Sequence, residues 1–111
     1  MPRGDYLGEF EQVVMLAVAR LRDGAYGMAI VDELLRRTGQ EPSVGSVYAA
    51  LDRLERRGLV GSGMGAPTPE RGGRAKRFFR LEPAGARALA HARNVLDALW
   101  EGLELDMDGR A

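Results

Sequence analysis

Arg71, Arg74, Lys76 and Arg77 place four cations within seven positions, interleaved with Gly72 and Gly73 and with no acid beyond Glu70. A solvated loop rarely needs so dense a run of positive charge without counter-charge. Neutralising the phosphates of a nucleic-acid backbone accounts for it. A second group of candidates lies in residues 43–57. There Gly45, Ser46, Ala49, Arg53 and Arg56 fall on the side of a helix opposite its apolar stripe, and Ser43 stands at its start. Small residues at 45, 46 and 49 would let a helix backbone approach base edges closely, while the two arginines reach bases or phosphates. Taken alone, this helix supports a plainer reading of equal weight, in which Asp52, Arg53 and Arg56 only solvate a surface. The cationic run beyond it tilts the balance toward DNA.

Other chemistries lack their parts. The 111 residues include no cysteine and one histidine, His91. Disulfides, thiolate catalysis, cysteine zinc sites and histidine metal clusters within one chain are all excluded. His91 reads as a surface helix residue. The glycine pair in PERGGRAK is too short for a phosphate-binding loop, and neither GxxxxGKS nor GxxxxGKT occurs. No enzyme activity, cofactor or metal is expected. The formal net charge is zero, yet residues 43–81 hold eight basic and three acidic side chains. Residues 1–42 hold five and seven, and residues 82–111 hold three and six. A neutral total thus hides a basic middle, and contact with phosphates needs only a local cationic face. The start, MPRGDYLG, has no signal-peptide character. The longest apolar stretch, 13–19, falls well short of the roughly 20 residues that span a bilayer. The expectation is a soluble, cytoplasmic protein of mainly α class with a small β-hairpin.

The elements that must carry these residues follow from hydrophobic period and turn signals. Residues 7–21 predict a helix with Phe10, Val13, Val14, Ala17 and Leu21 on one face. Met15, Leu16, Val18 and Ala19 are apolar too, so this helix is expected to be covered on more than one side. Gly24 is the expected terminator. Residues 26–38 predict a second helix, with Tyr26, Ile30 and Leu34 on one face and Gly39 at its end. A tight connection leads to Ser43, a good N-cap for a third helix that stops at Gly58. Val44, Val47, Leu51 and Leu54 form its inward stripe, with Tyr48 beside it. Residues 59–60 and 77–81 are β-prone and predict a hairpin around a long glycine- and proline-rich connection. Phe79 and Leu81 should point inward, and Lys76, Phe78 and Arg80 to the other face. Pro83 suits the first turn of a last helix running to about 105. In it Leu89, Ala92, Leu96, Leu99 and Leu103 form a heptad seam.

Two short helices, a tight turn and a polar-capped third helix fit a helix-turn-helix. At this point the chain resembles the PadR family of winged-helix repressors along nearly its whole length. The resemblance is carried by LGEFEQVVMLAVARL (7–21), YGMAIVDEL (26–34), SVGSVYAALDRLERRGLV (43–60) and PTPERGGRAKRFFRLEPAG (67–85). It implies a winged helix-turn-helix with a C-terminal helix that builds the dimer, of the short, single-helix type. It further implies that Tyr48 lies against DNA phosphate and that Arg74, Lys76 and Arg77 form a basic wing. The family usually has Thr or Ser where Glu82 stands, so a weaker N-cap is expected there, with a carboxylate suited to the helix dipole.

Residues 1–82 are expected to bind DNA, 83–106 to dimerise and 107–111 to fray. The dimer candidates are Phe10, Val14, Leu89, Ala92, Leu96, Leu99 and Leu103. A two-fold dimer implies a palindromic site with half-sites about 10 bp apart. Trp100 sits near the expected dimer axis. Some family members use a tryptophan there to stack flat aromatic ligands, so Trp100 is the effector-binding candidate. Interface packing is the better-supported reading of it. The main rival to a DNA-binding homodimeric repressor is a winged-helix protein-interaction module, which would not need the wing cations. A small enzyme ranks far below both.

Overall fold

The helical periods and turn glycines of the sequence are realised in a computed structural model that describes residues 7–65 and 76–108. Helices α1 (Glu9–Leu21), α2 (Gly27–Thr38) and α3 (Val44–Arg56) come first, with a 3-10 turn (Arg22–Gly24) between α1 and α2. Strands β1 (Val60–Met64) and β2 (Arg77–Leu81) and helix α4 (Pro83–Trp100) follow. The class is mainly α with a β-hairpin, a winged helix-turn-helix followed by one long helix.

Local signals set most boundaries. The Glu11 carboxylate accepts the Gly8 N–H at 3.1 Å, satisfying an otherwise orphaned donor at the start of α1. Gly39 ends α2 in the left-handed region at φ 77°, its N–H donating to the Leu35 carbonyl at 2.9 Å. Gly58 turns the chain after α3 at φ 73°. Gly24, by contrast, does not end α1. The reversal falls at Arg22, a non-glycine at φ 53°, and Gly24 lies inside the 3-10 turn. That turn swings Ala25 and Tyr26 alongside the hairpin. The Phe79 N–H donates to the Ala25 carbonyl at 2.8 Å, and Tyr26 bridges to Phe78.

The core is built from one face of each helix and closed by the hairpin. Val14, Met15, Ala17 and Val18 meet Ile30, Val31, Leu34, Val47, Ala50, Leu51 and Leu54 under Leu59, Val60 and Phe79. Val14 is 0% exposed, wholly inside this core, and so is not a dimer-interface residue. α1 has its buried face toward its own domain, and Leu16 is its large apolar residue left outside. Val44 is likewise no part of the inward stripe: as the first residue of α3 it precedes the turn that passes under the core, and it is exposed. On α2, Glu33 is buried and held by Arg37 at 2.8 Å and by Arg36. Arg37, with help from Arg36, keeps its carboxyl below the usual carboxylate range against burial, which pushes the other way.

The hairpin is antiparallel, pairing Val60 with Leu81, Ser62 with Phe79 and Met64 with Arg77. β1 therefore runs on through residues 61–64, which the sequence assigned to the loop. Once Leu59 and Val60 are anchored in the core, β2 offers partners for the following backbone groups despite the glycines. Helix α4 ends earlier than the heptad seam suggests. Gly102 at φ 74° turns the chain after Trp100, so Leu103 lies beyond the helix and the seam loses its last member.

α4 rests on the domain only by its first half, through Ala84, Gly85, Ala88 and Leu89. Gly85 is its sole buried residue, and a Cβ there would lie 2.2 Å from the Leu59 carbonyl oxygen. Glu82 does not cap α4 with its side chain; it pairs with Arg80 at 2.9 Å instead. The helix then projects, giving extents of 57 × 32 × 20 Å and a radius of gyration of 16.5 Å. A compact chain of this length would measure about 13 Å.

Candidate nucleic-acid interface

Helix α3 presents the surface that the sequence singles out. The Ser43 hydroxyl caps the helix by accepting the Ser46 N–H at 3.1 Å, and the Ser46 hydroxyl lies 2.7 Å from it, so the two exposed serines mark the start of α3. Gly45, Ala49, Arg53 and Arg56 follow on the same uncovered side. Arg53 is not wholly free, since its Nε approaches the Glu11 carboxylate at 3.4 Å, tying α3 to α1.

Tyr48 stands at the edge of this face, 37% exposed, its ring 6.3 Å from that of Phe79. Its hydroxyl lies over the first residue of α2. A Cβ at Gly27 would come within 2.4 Å of that oxygen, so only glycine there leaves room for the tyrosine. The side chain is thus seated against the start of helix α2 and against Phe79 of strand β2.

The base of the hairpin lies against α3. Arg77 reaches across to it, pairing with Glu55 and approaching Asp52 at 3.8 Å. Its Nε donates to the Ser62 hydroxyl at 3.1 Å. Lys76 sits over the Tyr26 ring at 4.0 Å, and that ring meets Phe78 edge-on at 5.6 Å. Arg71 and Arg74 lie outside the described residues. Sequence reasoning missed Gly27, Glu55 and Ser62, the residues that seat Tyr48 and hold Arg77. One signal for the last was available: the alternation that turns Phe79 inward turns Arg77 the same way.

A second surface runs along α4. Leu96, Leu99 and Trp100 are exposed; Leu96 and Trp100, with Leu16 of α1 and the half-buried Leu89, line a groove that Leu99 stands outside. Ala92 is half-buried beside them. Phe10 is not brought to this groove; it is half-buried on the other side of α1, near Leu34 and Pro42. Among the described residues no cluster suited to a metal ion occurs, and no helix is long and apolar enough to cross a membrane.

Residues 15–91 match the Transcriptional regulator PadR-like family. The chain belongs to that family. The chain is similar to Transcriptional regulator Rv3488 of Mycobacterium tuberculosis, 38% identical over 74 residues, which is 67% of this chain and 64% of that protein. The match therefore spans less than two thirds of the curated relative. Among solved structures, a PadR family transcriptional regulator from Eggerthella lenta superposes with a TM-score of 0.66 at 28% identity, covering 85% of this chain and 81% of that one. A PadR-like transcription factor from Bacteroides fragilis gives a TM-score of 0.69 at 21% identity, covering 83% and 84%, a likeness of fold. PadR-like membership places the chain in a family of transcriptional regulators.

Proposed function

We propose that this PadR-family chain binds operator DNA sequence-specifically as a homodimer and represses transcription. In this reading α3 enters the major groove with Gly45, Ser46, Ala49, Arg53 and Arg56 toward the bases. Tyr48 and the wing cations Arg71, Arg74 and Lys76 hold phosphates. Residues 1–82 form the DNA-binding unit and 83–106 the dimerisation segment. The observation that carries the reading is the packing of the hairpin base against α3. It puts the stem of the cationic run beside the uncovered face that Tyr48 borders.

The occupant proposed for the α4 groove is a second copy of the chain. The supporting features are the projecting half-helix and its apolar residues: Leu99 is 70% exposed, with Leu96 and Trp100 beside it. Closing two such faces about a two-fold axis would bury several large side chains, each contributing about 1.5–3 kcal/mol. It would also set two copies of α3 for half-sites about 10 bp apart.

Selection of bound sequences from random DNA tests the whole reading. The expected product is a palindrome, bound with an affinity that falls steeply as salt rises. Changing Arg74 and Lys76 to Ala should flatten that dependence. A chain with no salt-dependent affinity for any DNA would instead be an interaction module. The same groove supports a planar effector stacked on Trp100. Titration with planar cationic dyes should then quench the single tryptophan; unchanged emission at saturating dye would leave Trp100 as packing alone.

A further inference from the structure

We propose that Arg77 acts as a positioning residue, a brace that fixes the wing to the recognition helix, and that it is not a phosphate contact. This rests on the DNA-binding reading above and departs from the basic-wing role that the family resemblance implies for Arg77. Arg77 occupies the first position of β2, where the stem leads into the basic run. From there its guanidinium is engaged on several sides. It donates to Glu55 of α3, and its Nε donates to the Ser62 hydroxyl at 3.1 Å. That hydroxyl in turn donates to the other Glu55 oxygen at 2.6 Å, closing a ring of three side chains from α3, β1 and β2. Asp52 lies 3.8 Å away, and the guanidinium carbon is 4.9 Å from the centre of the Phe79 ring.

A phosphate-gripping cation needs donors free toward the DNA. Here two carboxylates already neutralise the charge, and the planar fork matches Glu55 and Ser62 together. Only arginine offers that geometry, since a lysine ammonium is a point donor on a flexible stem. Phe79, on which the guanidinium rests, is a core residue that also touches Tyr48. The ring of contacts therefore joins three parts of the interface: the recognition helix, the wing stem and the phosphate-facing tyrosine.

The sign of one substitution separates the two roles. Glu55→Gln removes a negative charge from the DNA side and releases Arg77. Were Arg77 a phosphate contact, binding would tighten. As a brace, it makes Glu55→Gln weaken binding, by about fivefold per half-site on the scale of a partly exposed ion pair. Arg77→Ala should weaken binding similarly while leaving the slope of log affinity against log salt unchanged. Loss of a phosphate contact would lower that slope by about 0.9 per arginine. Arg77→Lys should fail to restore affinity, and the Arg77→Ala, Glu55→Gln double variant should be no weaker than Arg77→Ala.

Tighter or unchanged binding by Glu55→Gln, a reduced salt slope for Arg77→Ala, or rescue by lysine would each overturn the proposal. The free protein supplies a separate reading. The Arg77 Nε–H should give a resolved, slowly exchanging signal in nitrogen-15 spectra that Glu55→Gln abolishes; a signal unaffected by that change would also overturn it. Should the wild-type chain bind no DNA, the DNA-binding reading fails on that measurement alone, and these spectra still decide whether the brace exists.

Discussion

The unit formed by α1, α2, α3 and the hairpin differs from α4 in what its apolar residues have to pack against. In the first, each helix turns an apolar face toward two others, and Val14, Ile30, Val47 and Leu51 are completely enclosed. In the second, the helix touches its own domain through Ala84, Gly85, Ala88 and Leu89 and then carries Leu96 and Leu99 into solvent. Both regions are built from similar residue types at helical spacing. The lesson is that hydrophobic period specifies a face, while the number of neighbours within reach decides whether one chain can cover it. The first region is complete in one copy, and the second has a surface that a second copy would complete.

Substitutions in the two regions should therefore act on different observables. Leu51→Ala, within the enclosed core, should lower unfolding free energy by about 2–5 kcal/mol in urea titration. A loss below 1 kcal/mol would show the core to be looser than its burial implies. Leu99→Ala should leave the fold of the dissociated chain unchanged by circular dichroism and weaken self-association. The expected loss is about 1.5–3 kcal/mol per subunit, read by sedimentation over a dilution series. An unaltered association constant would remove α4 from the interface and collapse the contrast. Ser43→Ala removes the cap of α3 and should cost about 1 kcal/mol of unfolding free energy. It should do so equally at dilutions where the chain is monomeric and where it is associated.

The smallest effect concerns pH. Glu33 is held ionised in the fold by Arg37 and Arg36, below its ordinary range. A carboxyl lowered in this way stabilises the fold above the pH at which the unfolded chain's glutamate titrates. That contribution is lost as pH falls through the lower, folded value. Glu33→Gln should therefore flatten the acid side of the stability profile, with little difference in the extent of self-association at neutral pH. An acid limb identical to that of the wild type would contradict the assignment.

Much of the enclosed region is legible in the sequence because its signals are local. Ser43, Gly39 and Gly58 mark helix ends by their own chemistry, and Ile30, Leu34, Val47, Leu51 and Leu54 mark the core by period. α1 is harder to read. With apolar residues on nearly every side, its sequence does not say that Val14 faces in and Leu16 faces out, which depends on how α2 and α3 sit against it. The seam residues from Leu89 to Leu99 do fall on α4, but Leu103 lies beyond it because the chain turns at Gly102, one position earlier. At the candidate interface, the cations are visible as residue types while their partners are not. Pairing Arg77 with Glu55 requires knowing that the start of β2 lies within side-chain reach of α3, a contact over 22 positions. Gly27 looks like a helix-start glycine until the Tyr48 hydroxyl is seen above it.

The seat of Gly85 on the Leu59 carbonyl has a mechanical consequence. α4 is 18 residues long, about 27 Å at the usual rise of 1.5 Å per residue. It is fixed near one end, at a point where the glycine backbone sits directly on the Leu59 carbonyl beside Leu81. Such a helix works as a lever with its fulcrum at that contact: a tilt of about 10° carries the far end roughly 4 Å. A methyl group at position 85 would wedge the fulcrum open, so one added carbon should be felt most at the opposite tip, next to Trp100.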